Sequence, residues 1–207
     1  GGPWSTERNG DTPHLLYALC RRAWLQQGYG LMHAAALQGP DAGAVLLVGH
    51  SGSGKTTISE HACASKAFRL LSGNKTLLRF EGGQARVIAG TPISSVLQED
   101  GTRELVAVPA GSLPAPTKAV VLIRLNDGAC QWQQLMALNA LHTLLPMCLD
   151  SVNADILAAG TALFDGGVSQ LGKQKMADGL RESLQRVPVY RAVGSLSHVS
   201  EKIRGLV

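Results

Sequence analysis

The chain has 207 residues, 45% of them apolar and 16% charged, with a formal net charge of +4. That length and composition suit a single folded domain with a substantial core and exclude a disordered chain. The positive excess is spread thinly and only three each of Trp, Tyr and Phe are present, so nucleic-acid binding is not expected.

Thr12-Pro13 reads as an N-cap followed by proline at the first helical position. Leu15, Leu16, Leu19 and Ala23 then recur at helical spacing, and Gly28 ends a helix predicted over about 12–28. Leu31–Gln38 and Ala44–Val48 are apolar runs joined by the turn residues Gly39–Gly43, which predicts a hairpin. If Gln38 pairs with Ala44 and the register stays regular, His33 falls opposite Gly49.

The residues that follow, Gly49, His50, Ser51, Gly52, Ser53, Gly54, Lys55 and Thr56, fit the pattern G-x-x-x-x-G-K-[ST]. The pattern describes a physical device. Glycines let backbone N–H groups curl around a phosphate, and Lys55 adds a compact positive charge. Thr56 offers a hydroxyl to Mg²⁺, with Thr57 next to it at the start of a helix whose dipole favours anions. An apolar run before the loop and a helical pattern from Thr56 to about Lys66 supply the strand–loop–helix context the motif requires. His50 sits at a variable position and is expected to face solvent.

Downstream, Phe68–Leu71 reads as a short strand ending at Ser72-Gly73-Asn74-Lys75. Thr76–Phe80 and Ala85–Ala89 flank Glu81-Gly82-Gly83-Gln84 as a second hairpin, and Leu105–Val108 is another strand. Leu113–Pro116 marks a break before a core strand, Ala119–Leu125. Trp132–Leu145 reads as an amphipathic helix closed by Pro146, and a further helix is expected near Lys173–Leu184. Val187–Tyr190 is a last strand, whose proline suggests a sheet edge. Cys20, Cys63, Cys130 and Cys148 form no metal-binding pattern and are expected to be buried, reduced thiols. With no apolar run of membrane-spanning length and no signal peptide, the expected location is the cytoplasm.

In Met32–Ala35, in Val45–Thr57 and, more weakly, in Leu70–Ser72, Ala89–Pro92 and Val187–Arg191, the chain resembles the HPr kinase/phosphorylase family and its smaller relatives. The resemblance is good over 30–95, loose in the last quarter and slight between. It implies an α/β P-loop nucleotide-binding fold of the HPr-kinase C-terminal-domain type, a mixed sheet with helices packed around it. The domain would span 1–207, with the nucleotide-binding core at about 30–130 and a helical part with the last strand at about 131–207. It also implies ATP and Mg²⁺ as cofactors, GTP remaining open, and transfer of phosphate to a serine-like hydroxyl on a protein, peptide or small molecule. Self-association into a homo-oligomer is suggested as well.

Two departures narrow this. Where the family carries two aspartates after the strand that follows the loop helix, this chain has Gly73 and Asn74. The glycine- and arginine-rich segment of true HPr kinases has no counterpart, so HPr is not the expected acceptor. The candidate catalytic residues are therefore Lys55, His33 and Asn74, with Gly49–Thr57 holding nucleotide and Thr56 the metal. Asn74 could ligate Mg²⁺ or orient a nucleophile, or it could belong to an ordinary turn, and adjacent Lys75 could contact phosphate. Asp127 is either a metal-assisting carboxylate or part of an Asn-Asp-Gly turn, the turn being favoured. Glu99 and Asp100 are further carboxylate candidates. Arg181, Arg186 and Arg191 read chiefly as cover for a helix and an edge strand, with the alternative that one reaches a phosphate, and His142 and His198 as packing or surface. The rival reading is a nucleotide-binding sensor that no longer transfers phosphate, and a third is an NTPase with water as acceptor.

Overall fold

The computed structural model describes residues 20, 23–90, 93–97, 103–107, 111–128, 130–158 and 170–207, leaving aside the side chains of 93–97, 103–107 and 149–158. In chain order the elements are β1 (Tyr29–Gln38), β2 (Ala44–Val48), α1 (Lys55–Ala64), β3 (Arg69–Ser72), β4 (Lys75–Glu81), β5 (Gln84–Gly90), β6 (Ile93–Leu97) and β7 (Arg103–Ala107). They continue with β8 (Ala115–Leu125), β9 (Gln131–Leu135), α2 (Ala137–Ala158), α3 (Gln170–Ser183), β10 (Val189–Gly194) and α4 (Leu196–Arg204). Of the helix predicted over 12–28, residues 23–26 are helical and Gly28 follows with a φ of 81°. Most of the remainder lies outside the described residues.

Eight strands form one mixed sheet, and β6 and β7 pair separately. The hairpin of β1 and β2 runs from Gln38↔Ala44 to Ala34↔Val48 without a register shift. Its turn explains that regularity. The Gly39 N–H donates to the Gly43 carbonyl at 2.9 Å, and the Gly43 N–H donates to Asp41 Oδ1 at 2.9 Å. That bond and the Lys118 ammonium 3.1 Å away hold the Asp41 carboxyl below its usual range. The second hairpin turns through Gly82 and Gly83, with φ of 58° and 72°. Two consecutive positive φ angles are what a tight two-residue hairpin needs.

Two long strands knit the sheet together. Along β1, residues 29–33 pair with β4, while 34–38 pair with β2, and 36–38 also with β3 on the other side. The start of β8 pairs with β5, and its remainder runs parallel to both β2 and β10. The ladders β1–β4–β5–β8–β2–β1 consequently close on themselves. Side chains alternate across β1, β2 and, from Ala119 onward, β8. Ala35, Leu37, Val45, Leu47, Val121 and Ile123 face a cluster with Ile58 and Ala62 of α1 and Val199 and Ile203 of α4. Ala34, Ala36, Leu46, Val48 and Val120 face a second cluster with Leu144 of α2 and Met176 and Leu180 of α3. Parallel strands buried on both faces read as unbroken apolar runs, as Ala44–Val48 does.

Several expectations need correction. Trp132–Leu135 is not helical; it belongs to β9. Trp132 and Leu135 stand three apart, a helical spacing, yet the strand is polar between them and Trp132 stacks on Tyr190 of β10 at 5.0 Å. Nor does Pro146 close the helix, for α2 continues through it. A proline frees the carbonyl four residues back, here His142, and both residues are exposed, so water can satisfy that group. β10 is not an edge strand either, lying between β8 and β9. Pro188 precedes the ladder and needs no N–H there, contributing its carbonyl to the Val120 N–H at 3.0 Å. The break at Leu113–Pro116 is shorter than expected, since β8 begins at Ala115.

The cysteines also differ from expectation: Cys20 and Cys130 are exposed, Cys63 is half-buried, and only Cys148 is buried. Complete burial on α2 pushes the Cys148 thiol up to about 12, and partial burial raises that of Cys63. With Ellman's reagent at neutral pH, Cys20 and Cys130 should react at once and Cys63 more slowly. Cys148 should react only under unfolding conditions, and its fast labelling in the native protein would show that α2 is not docked.

Candidate functional site

Strand β2, the loop 49–54 and helix α1 follow in the order the motif requires. The strand is clamped by β1 on one side and β8 on the other, and all five of its residues are buried. Its carboxyl end is therefore fixed, and the loop starts from a rigid point.

Two glycines in the loop have physical reasons to be glycine. Gly54, the N-cap of α1, has a φ of 100°, and a Cβ there would run into the side chain of Leu125. A Cβ on Gly49 would stand 2.9 Å from the Ile123 carbonyl oxygen and 2.5 Å from Ser53 Oγ. The end of β8 thus presses on both ends of the loop. The Leu125 N–H also donates to the Ser53 carbonyl at 2.9 Å, and the Ser53 N–H to the His50 carbonyl at 3.1 Å. This support by β8 is a main-chain contact between residues over seventy positions apart, for which the sequence carries no signal.

Lys55 begins α1 with only 7% of its surface exposed. Its ammonium donates to the carbonyls of Gly49 at 2.6 Å and His50 at 3.0 Å. Burial pulls its pKa below the ordinary 10.5. No side chain caps the helix, whose first-turn N–H groups therefore lack the usual hydroxyl or carboxylate acceptor. Ser53 Oγ is buried and has no hydrogen-bond partner. Orphan donors, a buried cation and a loop whose glycines pack directly against the end of β8 together match the needs of a phosphate group. Ser51, Gly52, His50 and Thr57 are exposed, and Thr56 is half-buried at the helix start. Among the described residues no group of three or more His, Cys, Asp or Glu side chains could hold a metal ion. A divalent ion here would rest on Thr56 and on the phosphates themselves, as Mg²⁺ commonly does.

His33 is half-buried on β1, one residue beyond the pair Ala34↔Val48, which continues the expected register toward Gly49. On its other side it pairs with Lys75 of β4. Alternation from Ala35 and Leu37 sets His33 on the face of the sheet that α1 covers. Asn74 is exposed in the bend between β3 and β4, level with Ala34, because the register runs unbroken from Ala36↔Ser72 to His33↔Lys75. Asp127 is exposed in a bend where the Gly128 N–H reaches Asn126 Oδ1 at 3.3 Å, an ordinary Asx turn. Arg181 pairs with Asp178, and Arg186 donates to the Gly82 carbonyl. His142 is exposed, and His198 is half-buried with Nε2 enclosed and unpartnered. Glu99, Asp100 and the Thr91-Pro92 pair lie outside the described residues. A cleft of about 500 Å³ opens elsewhere, where β10 begins, lined by Leu135, Ala137, Leu184 and Val189.

Among solved structures, the chain is similar to the Hpr(Ser) kinase/phosphatase from Coxiella burnetii. The TM-score is 0.40 at 11% sequence identity, with 85% of this chain and 92% of that chain covered. No family model matches the chain, and no curated protein matches it. The case for function accordingly rests on the chain's own residues. Among the described residues, no helix is long and apolar enough to cross a membrane.

Gly52 and Gly54 allow a matched test of the loop. Both have positive φ, but the space around Gly52 is open whereas Gly54 abuts Leu125. Gly52→Ala should cost roughly 1–2 kcal/mol in urea unfolding, the penalty of a left-handed alanine. Gly54→Ala should cost about 1–3 kcal/mol more, through overpacking. Equal losses would mean that Leu125 does not brace the helix start.

Proposed function

We propose that the protein is an ATP- and Mg²⁺-dependent phosphotransferase of the HPr-kinase-like type, acting on a hydroxyl acceptor other than HPr. The observation that carries this reading is the braced loop before α1, with a buried lysine and an uncapped helix start, on a G-x-x-x-x-G-K-T sequence. In this reading the amides of 49–57 hold the phosphates, and Lys55 turns from its two carbonyls toward the outer ones. Thr56 would hold Mg²⁺, which would supply positive charge to the phosphate oxygens. The acceptor oxygen bonds to the γ-phosphorus as the bond to the bridging oxygen breaks, releasing ADP, and the hydroxyl proton passes to water. A loose transition state demands little base assistance. That makes Asn74, at the family's carboxylate position, tolerable, and it leaves His33 the role of orienting a phosphate from beneath the loop. The acceptor lies on a protein, a peptide or a small molecule.

A second reading is favoured by one observation, the amide at position 74: a nucleotide sensor without transferase activity. Incubation with γ-labelled ATP, Mg²⁺ and candidate acceptors separates the two. Labelled acceptor in the wild type, falling about 100-fold or more in Lys55→Ala, supports the kinase. Tight nucleotide binding with no Lys55-dependent product supports the sensor, and free phosphate alone an NTPase.

The lysine also sets a pH dependence. Because burial lowers its pKa, Lys55 loses its charge at a lower pH than the 10.5 of an ordinary lysine. Nucleotide affinity should therefore decline as pH rises through that depressed value, and the decline should vanish in Lys55→Ala. A fluorescence titration with a nucleotide analogue from neutral pH up to the ordinary 10.5 would detect it. An affinity flat across that range would exclude charged Lys55 as a phosphate ligand.

A further inference from the structure

The same end of the sheet carries a feature that the loop does not use. On β8, Val121 and Ile123 face α1 and α4, so Leu122 and Arg124 face the other way. On β10, Tyr190 and Ala192 face α1 and α4, which sets Arg191 and Val193 on the same opposite face. Arg191 lies level with Leu122 on one side and Gln133 of β9 on the other, and Val193 is level with Arg124 and Gln131. The result is a chequered surface in which two half-buried apolar side chains, Leu122 and Val193, are framed by two arginines and two glutamines, all four exposed.

Two observations distinguish this surface from a solvated face. β8 and β10 are interior, parallel strands, which proteins ordinarily cover on both sides, and on this face the cluster with α2 and α3 reaches Leu122. Among the described residues, moreover, the side chains of Arg124 and Arg191 make no ion pair or hydrogen bond, unlike those of Arg79 and Arg181. Two uncompensated guanidinium groups on neighbouring strands, above an apolar floor that lowers the local dielectric, suit a planar or tetrahedral oxyanion. Their place is also significant. Arg124 directly precedes Leu125, whose N–H braces the loop through Ser53, and β10 is two strands from β2, on the order of 10 Å.

We infer that Arg124 and Arg191 hold the anionic group of the acceptor, which is a small hydroxyl compound bearing a carboxylate or a phosphate. Charge complementarity selects that occupant. The inference rests on the phosphotransferase reading, whose substrate class it names.

Glycerol, glycerate and glycerol 3-phosphate share hydroxyls and differ in charge, so they serve as probes. The uniformly ¹⁵N-labelled protein is first saturated with Mg²⁺ and a non-hydrolysable ATP analogue, so that the loop is filled. Glycerate or glycerol 3-phosphate should then shift the side-chain Nε–H signals of Arg124 and Arg191, and glycerol should not; which anion binds better tells carboxylate from phosphate. Arg124→Gln and Arg191→Gln should each weaken anion binding about tenfold and leave the analogue's affinity unchanged. Anions that bind no better than glycerol, or equally well to the variants, would overturn the inference while leaving the kinase reading intact. Failure of the analogue to bind would instead defeat the kinase reading; the anions would then be titrated into the protein alone, and Arg-dependent binding would still uphold the surface as an anion site.

Discussion

Strand β2 is held by hydrogen bonds along both edges and by apolar packing on both faces, and the rest of the molecule depends on that confinement. Five residues with no exposed side chain, antiparallel to β1 and parallel to β8, cannot slide or tilt without breaking two ladders and two clusters at once. A one-residue slip would also exchange the faces of Val45 and Leu46, and each is matched to its own cluster. The loop after Val48 thus springs from a fixed point in a fixed direction. A loop that must present amides to a small anion needs that more than it needs a particular side chain.

The confinement comes from further away than the hairpin. β1 reaches from β4 to β2, and β8 from β5 to β2 and β10, so the ladders return to their starting strand. Among the described residues, the sheet ends at β9 on the side of the parallel strands. Closure of this kind removes edges and transmits local displacement around the ring, and it explains how the far end of β8 comes to brace the loop through Leu125.

What could be read from the sequence was local. Five turn residues with Asp41 and two glycines specify one register, so Gln38↔Ala44 and the pairs after it follow from counting. The Gly82-Gly83 turn and the strand–loop–helix order were equally legible, because each is decided within about ten residues. Failures arose where distant partners decided the outcome. Trp132 and Leu135 carry a helical spacing, yet a strand forms because β10 offers a ladder and Tyr190 an aromatic surface. Pro188 suggested an edge, but the strand begins one residue later. For the candidate site, the loop was visible as a motif and the neighbourhood of His33 as a register. Its buttress from β8, and the arginine surface on β8 and β10, required knowing that residues over sixty apart are neighbours.

The posture of Lys55 has one more implication. Its ammonium already spends its hydrogen bonds on two carbonyls of its own loop, so an arriving anion exchanges partners and adds few. The gain on occupancy is then the difference between attracting a full negative charge and attracting two amide dipoles. Under the proposed function, such a swap would make affinity a matter of ligand charge, which would favour a polyphosphate over a single phosphate or a neutral mimic.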